Sequence, residues 1–297
     1  MKKIYFGING QFGDIIIQEP ILRKIIQMNP NTEIVMGAYE KYFEILELYK
    51  NYHPQVVDFI KWEKYLTRKE KDGSGGWPGE NDKKIIESMN FDKMYDVSPM
   101  HDEKEFDWVL RRHIVTELGN MYDIKVDDIK IRLNKPEYKH NIKKSVAISL
   151  LPSDWKWRGI KSISENKINI IVAFIKNNDY DVYHLAGPGE PDIKNTIKIQ
   201  GTYMDSVKTL LSTEFLVTCD TGMAWAASAY DHHTIGLFGW GTNPFAGTSK
   251  NWMPVNPNAD YLESYKAEDI NIYSILDKIN KKLKRINENI TNNTTIK

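Results

Sequence analysis

Residues 215–229 read Phe215-Leu216-Val217-Thr218-Cys219-Asp220-Thr221-Gly222-Met223-Ala224-Trp225-Ala226-Ala227-Ser228-Ala229, with Thr234-Ile235-Gly236-Leu237-Phe238-Gly239 close behind. The apolar run at 215–217 suits a strand covered on both faces, and the alanine-rich segment after Gly222 suits a helix lying close on a sheet. Asp220-Thr221-Gly222 then forms the turn at a helix N-terminus, where unpaired backbone N–H groups point outward. Thr221 adds a hydroxyl donor, and Gly222 lets a ligand approach the backbone. Such a turn can hold a diphosphate, but any strand-to-helix turn also wants a small residue and an Asp or Thr cap. Gly239-Trp240-Gly241-Thr242-Asn243-Pro244 places a second glycine-rich loop after the next strand. Adjacent parallel strands bring both loops to one sheet edge, which favours a ligand crevice.

Outward from this stretch, the chain alternates strands and helices. Lys3–Ile8 reads as a strand, Gly10–Asp14 as a turn and Ile15–Met28 as a helix with apolar residues at 16, 17, 21, 22, 25 and 26. Strands are expected near 33–38, 55–60 and 93–98, with helices at 41–50, 82–89 and 103–120 between them. After the polar link Asn134–Lys144 come strands near 145–150, 181–186, 214–218 and 234–238, joined by helices near 164–176, 204–211 and 223–229. A last helix is expected at 267–284. Such alternation predicts parallel sheets. The fold class expected is α/β, with two Rossmann-like domains at 1–138 and 139–286 facing a central cleft, and a flexible tail at 287–297. The stretch Asp72–Glu80, rich in glycine, is expected to lack regular structure. It is either a solvated linker or a loop whose Trp77 closes over a substrate.

At 297 residues the chain is long enough for one or two domains, and 41% hydrophobic with 27% charged residues is ordinary for a globular protein. Forty basic and forty acidic side chains give a formal net charge of zero, so strong non-specific nucleic-acid binding is not expected. The single cysteine, Cys219, excludes an internal disulfide and sits at the end of an apolar strand, where a packed thiol is the expectation. No apolar run approaches the ~20 residues that span a bilayer. No stable membrane insertion is expected, and the cytoplasm is the expected compartment. His232-His233 has no third ligand at recognisable spacing, so no metal site is expected. Asp179-Tyr180-Asp181 precedes its strand and reads as a turn.

Four segments together resemble the lipopolysaccharide heptosyltransferase-like family of GT-B glycosyltransferases. The first is Phe12-Gly13-Asp14-Ile15-Ile16-Ile17-Gln18-Glu19-Pro20-Ile21-Leu22-Arg23-Lys24-Ile25, a Gly-Asp turn and a helix with an internal proline. The second, Ser153-Asp154-Trp155-Lys156-Trp157, is similar to the family's Lys-Trp loop. The third is the strand end His184-Leu185-Ala186-Gly187-Pro188-Gly189-Glu190, and the fourth is the Asp220-Thr221-Gly222 turn. The resemblance implies transfer of a hexose- or heptose-like sugar from a nucleoside-diphosphate sugar to a saccharide, lipid-linked saccharide or other hydroxyl acceptor, with inversion and without a metal or other cofactor. It places donor binding at Ser153, Trp157, Gly187, Glu190, Gly201, Thr202, Asp220, Thr221, Gly222, Met223 and Trp225. Acceptor binding falls to Gly10, Gln11, Gly13 and Trp77. Trp225 stands where the family commonly has a histidine, so a ring that stacks or packs replaces one that carries charge.

The residue types suit this chemistry. A departing diphosphate needs cations and N–H donors, which Lys156 and the turn at Thr221 and Gly222 supply. The attacking hydroxyl needs a base, and Asp14 is the candidate; as a helix cap, its competing role, it would spend its oxygens on the backbone. Three other readings remain. A nucleotide-sugar epimerase or hydrolase uses the same architecture. A non-catalytic sugar-nucleotide-binding protein is encouraged by Trp225 and opposed by Asp14 and Lys156. A dinucleotide-dependent oxidoreductase is disfavoured because Gly7, Gly10 and Gly13 lack the close Gly-x-Gly pair.

Overall fold

The computed structural model describes the chain except residues 9, 63–65, 68–75, 79, 96–111, 139–141, 143, 152–157, 188, 240, 242–248 and 295–297. The chain forms two compact units. The first contains Met1–Pro136, Ser228–Tyr230 and Lys250–Val255, and the second contains Glu137–Ala227, Asp231–Ser249 and Asn256–Lys297.

In the first unit the elements run β1 (Lys2–Gly7), α1 (Phe12–Ile16), α2 (Glu19–Met28), β2 (Thr32–Tyr39), α3 (Phe43–Tyr52), β3 (Val56–Trp62), β4 (Leu66–Thr67), β5 (Gly76–Trp77), α4 (Glu80–Ser88), β6 (Lys93–Tyr95) and α5 (Ile114–Met121). Four strands form a parallel sheet in the order β3-β2-β1-β6. Their inner residues Ile4, Tyr5, Phe6, Ile34, Val35 and Met36 are buried, as strands covered on both faces require. Trp62 Nε1 donates to Tyr5 Oη at 3.0 Å across the intervening strand. Gly37 lies under that bond, and a Cβ there would stand 2.1 Å from Tyr5 Oη. Only a glycine lets the two rings meet.

Two expectations need correction here. The segment 72–80 does contain regular structure, because Gly76–Trp77 pairs antiparallel with Leu66–Thr67. Two residues of strand are set by a partner, and no local pattern announces them. The helix expected over 15–28 is broken into α1 and α2. The helix expected over 103–120 is described as α5 alone, residues 103–111 lying outside the described residues. Its start is marked by His113, whose Nδ1 accepts the Val115 N–H at 3.3 Å while Nε2 lies 3.0 Å from Met253 O. An Nδ1 that accepts puts the proton on Nε2, which therefore donates to that carbonyl.

Along the rest of the chain run β7 (Ser145–Ser149), α6 (Arg158–Lys161), α7 (Glu165–Lys176), β8 (Asp181–Leu185), β9 (Ile197–Ile199), α8 (Tyr203–Ser212), β10 (Phe215–Cys219), α9 (Gly222–Ala229), β11 (Thr234–Gly239), α10 (Ser249–Trp252), β12 (Ala259–Ser264) and α11 (Ile272–Thr294), all in the second unit except the last two residues of α9 and α10 after Ser249, which belong to the first. Six strands form a parallel sheet in the order β12-β11-β10-β7-β8-β9. The outermost strands, β9 and β12, were not legible in the sequence: both are partly exposed edges with mixed polarity. Central β7 and β10 are buried at every residue.

One face of this sheet is covered by α7 and α11. Ile168, Ile171, Val172 and Ile175 of α7 join Ile275, Ile279 and Leu283 of α11 against Val146, Ile148, Phe215, Val217, Ile235 and Leu237. Spacings of three and four residues put each set on one helix face, and each such side chain contributes about 1.5–3 kcal/mol when fully buried. The last helix starts later than expected and continues to Thr294, through most of the segment read as a flexible tail. Tyr180 Oη bonds Asn287 Oδ1 at 3.0 Å, fixing that end to the strand β8 side of its own unit. Among the described residues no helix is long and apolar enough to cross a membrane.

Candidate functional site

β10 is the third strand of its sheet and pairs in parallel with β7 on one side and β11 on the other. Its carboxyl end delivers Asp220 and Thr221, and α9 begins at Gly222. Ala224, Ala226 and Ala227 are buried, so small side chains let α9 sit close on the sheet. The turn is thus at the carboxyl edge of a parallel sheet, at the start of a helix, as its sequence foretold.

Asp220 does not point into water alone. Its Oδ2 lies 2.6 Å from Lys161 Nζ, and the two side chains are 7% and 17% exposed. The contact offsets the cost of taking the buried carboxylate and the partly buried ammonium out of water, so that neither charge stands unpaired there. Lys161 ends α6 and was not singled out from the sequence. The only signal available was a lysine shortly before the Ser164 cap of α7; nothing local tied it to a turn 59 residues later.

Three hydroxyls surround the same turn. Thr218 Oγ1 lies 2.9 Å from Ser149 O and 2.8 Å from Cys219 O, so its one proton goes to a carbonyl. Thr221 Oγ1 is 3.0 Å from Thr218 Oγ1 and 3.1 Å from Ser149 Oγ. Each hydroxyl has one proton, and one allocation satisfies every contact: Ser149 donates to Thr221, Thr221 to Thr218 and Thr218 to a carbonyl. The expectation that Thr221 offers a hydroxyl donor is therefore corrected. Its proton is spent within the protein, and it has only a lone pair left to offer.

A second helix start adjoins the first. Tyr203 Oη donates to Gly222 O at 2.9 Å, joining the beginnings of α8 and α9. Thr202 and Asp205 close a capping box: Thr202 Oγ1 accepts the Asp205 N–H at 3.3 Å and Asp205 Oδ2 accepts the Thr202 N–H at 2.8 Å. Thr202, assigned to donor binding, thus also caps α8, with Gly201 immediately before it.

Glu190 was expected near a nucleotide. Its carboxylate instead faces inward, Oε2 lying 3.3 Å from His184 Nε2, and both side chains are buried. Among the described residues His184 Nδ1 is buried without a hydrogen-bond partner. A bare lone pair is cheaper to bury unpaired than an N–H, which puts the imidazole proton on Nε2, toward Glu190. The turn is closed by the Glu190 N–H to Gly187 O, at 3.1 Å.

Trp225 and Met223 are 4% and 5% exposed, so both pack in the interior. Trp225 is a core indole and not an open stacking face. Cys219 is buried, and burial pushes its thiol well up, as expected of a packed cysteine. Ser153, Lys156 and Trp157 lie outside the described residues, as does the Trp77 side chain.

In the first unit Asp14 lies in α1. Its Oδ2 accepts the Gln11 N–H at 2.8 Å and closes a capping box with the Gln11 side chain. Gly10 has φ +111°, a region L side chains avoid, and a Cβ there would stand 2.4 Å from Asp14 Cβ. Gly10 and Gln11 thus shape the turn around Asp14, and Gly13 lies within the first turn of α1. The helix break that follows comes from Pro20, which has no N–H to offer Ile16 O. Tyr49 Oη brings its one proton to the break, 2.5 Å from Ile15 O and 3.3 Å from Ile16 O, and Gln18 Nε2 donates to Asp14 O at 2.9 Å. Fully buried Glu19 then anchors α2, accepting from Arg23 Nε at 3.1 Å and the Arg132 N–H at 2.8 Å and meeting His53 Nε2 at 3.0 Å. Of these partners only Arg23, four residues on from Glu19, is readable locally.

No protein-family model and no curated protein matches the chain. Solved structures do. An E. coli ADP-heptose lipopolysaccharide heptosyltransferase II is similar at TM-score 0.69 and 13% identity, over 97% of this chain and 100% of that one. The E. coli heptosyltransferase WaaC with ADP is similar at TM-score 0.65 and 11% identity, over 94% and 99% of the two chains. A glycosyl transferase family 9 protein from Veillonella parvula gives TM-score 0.65 and 12% identity over 96% and 98%. At these identities the likeness is one of fold, and it runs through both units: the chain has the two-unit α/β fold of the GT-B glycosyltransferases.

Proposed function

We propose that the protein is a glycosyltransferase that moves a sugar from a nucleoside-diphosphate sugar to an acceptor hydroxyl, with inversion and without a metal. The observation that carries this is the Asp220-Thr221-Gly222 turn, set at the start of α9 and bonded through Asp220 to the Lys161 ammonium at 2.6 Å. The similar folds include a heptosyltransferase solved with ADP. A helix start and a fixed ammonium are what a diphosphate leaving group needs.

In this mechanism the second unit binds the donor. As the bond from the anomeric carbon to the phosphate oxygen breaks, negative charge grows on the diphosphate, and the N–H groups of Thr221 and Gly222 and the Lys161 ammonium stabilise it. Lys156 is assigned the same work on the resemblance alone. Asp14 takes the proton from the acceptor hydroxyl as its oxygen attacks the face opposite the leaving group, which inverts the anomeric centre. Its Oδ2 bond to the Gln11 N–H orients the carboxylate for this. Acceptors of the saccharide or lipid-linked saccharide class fit the fold's relatives, and the cytoplasm is the proposed compartment.

Calorimetric titration with ADP-, GDP- and UDP-sugars tests the assignment on the wild type, Asp14→Asn and Lys161→Met. One sugar nucleotide should bind the wild type selectively, bind Asp14→Asn equally well and bind Lys161→Met at least tenfold more weakly, the size of one charge-assisted contact. Absence of any sugar-nucleotide binding, or preference for a dinucleotide, would sink the proposal.

A further inference from the structure

The proton order in the hydroxyl chain has a chemical consequence for what the turn can recognise. Ser149 is 4% exposed and Thr218 fully buried, so neither hydroxyl can exchange its partner for water. Thr221, between them, is half-buried and lies at the turn itself. Its proton is drawn inward to Thr218, and one of its lone pairs is taken by Ser149. Toward a ligand it presents one remaining lone pair. Phosphate oxygens at neutral pH are acceptors too, so a phosphate placed against this oxygen would meet repulsion and no hydrogen bond.

We propose that Thr221 Oγ1 is a specificity-determining acceptor for a hydroxyl of the sugar nucleotide, while the diphosphate is left to the backbone N–H groups and Lys161. This rests on the donor-site reading above and divides that site into two kinds of contact. Ser149 and Thr218 are positioning residues. Thr218 holds the proton inward, and Ser149 fills the other lone pair.

Two probes separate the contacts: inorganic pyrophosphate, which has no alcohol hydroxyl, and the sugar nucleotide that binds the wild type. Thr221→Val keeps the shape and the backbone N–H but removes the oxygen. It should weaken the sugar nucleotide about three- to tenfold, the worth of one hydrogen bond, and leave pyrophosphate within about twofold. Thr221→Ser should restore the sugar nucleotide. Thr218→Val releases the Thr221 proton to face the ligand and should strengthen pyrophosphate binding, whereas Ser149→Ala, which leaves the proton where it is, should not. If Thr221→Val weakens both probes alike, the hydroxyl donates to phosphate and the inference fails while the donor site stands. If no sugar nucleotide binds the wild type, both fall together.

Discussion

Two aspartates, Asp14 and Asp220, each follow the carboxyl end of a sheet strand and stand at the start of a helix, yet they are held in opposite ways. Asp14 is held by its own turn, its Oδ2 accepting the N–H of Gln11, three residues back. Asp220 is held from outside, by the ammonium of Lys161 on another element. The same local pattern therefore yields a carboxylate oriented by backbone in one unit and one neutralised by a cation in the other. The difference matters for chemistry. A base must keep its negative charge and reach for a proton, while an aspartate at an anion site needs a cation beside it so that the ligand's charge is not repelled.

The sharpest way to break this contrast is to remove the cation. Lys161→Met leaves Asp220 buried without its ammonium and should cost about 2–4 kcal/mol in unfolding free energy. Adding Asp220→Asn should recover much of that loss while donor binding stays weak. Denaturant unfolding of the three proteins measures this, and a neutral single variant would mean that Asp220 does not depend on Lys161.

A smaller effect should come from the support of Asp14. Tyr49→Phe removes the donor that serves Ile15 O and Ile16 O at the helix break, a buried loss of about 1–3 kcal/mol. Because α1 carries Asp14, kcat should fall while the affinity for the sugar nucleotide is unchanged. A fall in donor affinity instead would show that the two turns are not supported independently.

The smallest effect is a pH dependence confined to the first unit. Burial lowers the His113 pKa below its ordinary value of 6.5, with the bond to Met253 O opposing more weakly. A folded-state value below the unfolded one means that protons prefer the unfolded chain. Stability is then full above about pH 6.5 and falls as the pH drops through the window below it. His113→Asn keeps an acceptor for the Val115 N–H and removes the titration, so the acid slope of the unfolding free energy should flatten. An unchanged slope would assign it to other groups, among them His233, which burial also lowers.

Much of this architecture was legible because buried parallel strands announce themselves as apolar runs. β7, β10 and β11 were placed to within a residue, and the Asp220 turn with them. Edge strands β9 and β12 were missed, since a strand exposed on one side carries no continuous apolar signal. Asp14 was readable both as cap and as candidate base, and its capping box is present. Trp225, assigned to donor binding on the resemblance but read from its residue type as more safely packed than stacked, is buried.

What the amino-acid sequence determined by itself was periodicity and local grammar: which segments are strands or helices, where a proline breaks one, and which turns carry Asp, Thr and Gly. Those are interactions between residues a few positions apart, so they survive in one dimension. Only the tertiary structure decided that Lys161 meets Asp220, that Ser149 and Thr218 take the proton order of Thr221, and that Glu190 turns in to His184. The physical reason is the same in each case. Whether a polar atom donates, accepts or is neutralised depends on every partner packed around it: Lys161 and Ser149 reach their partners from far away in the sequence, and even for near neighbours such as Thr218 with Thr221 or His184 with Glu190 the surrounding fold sets which way the side chain turns and where its proton goes.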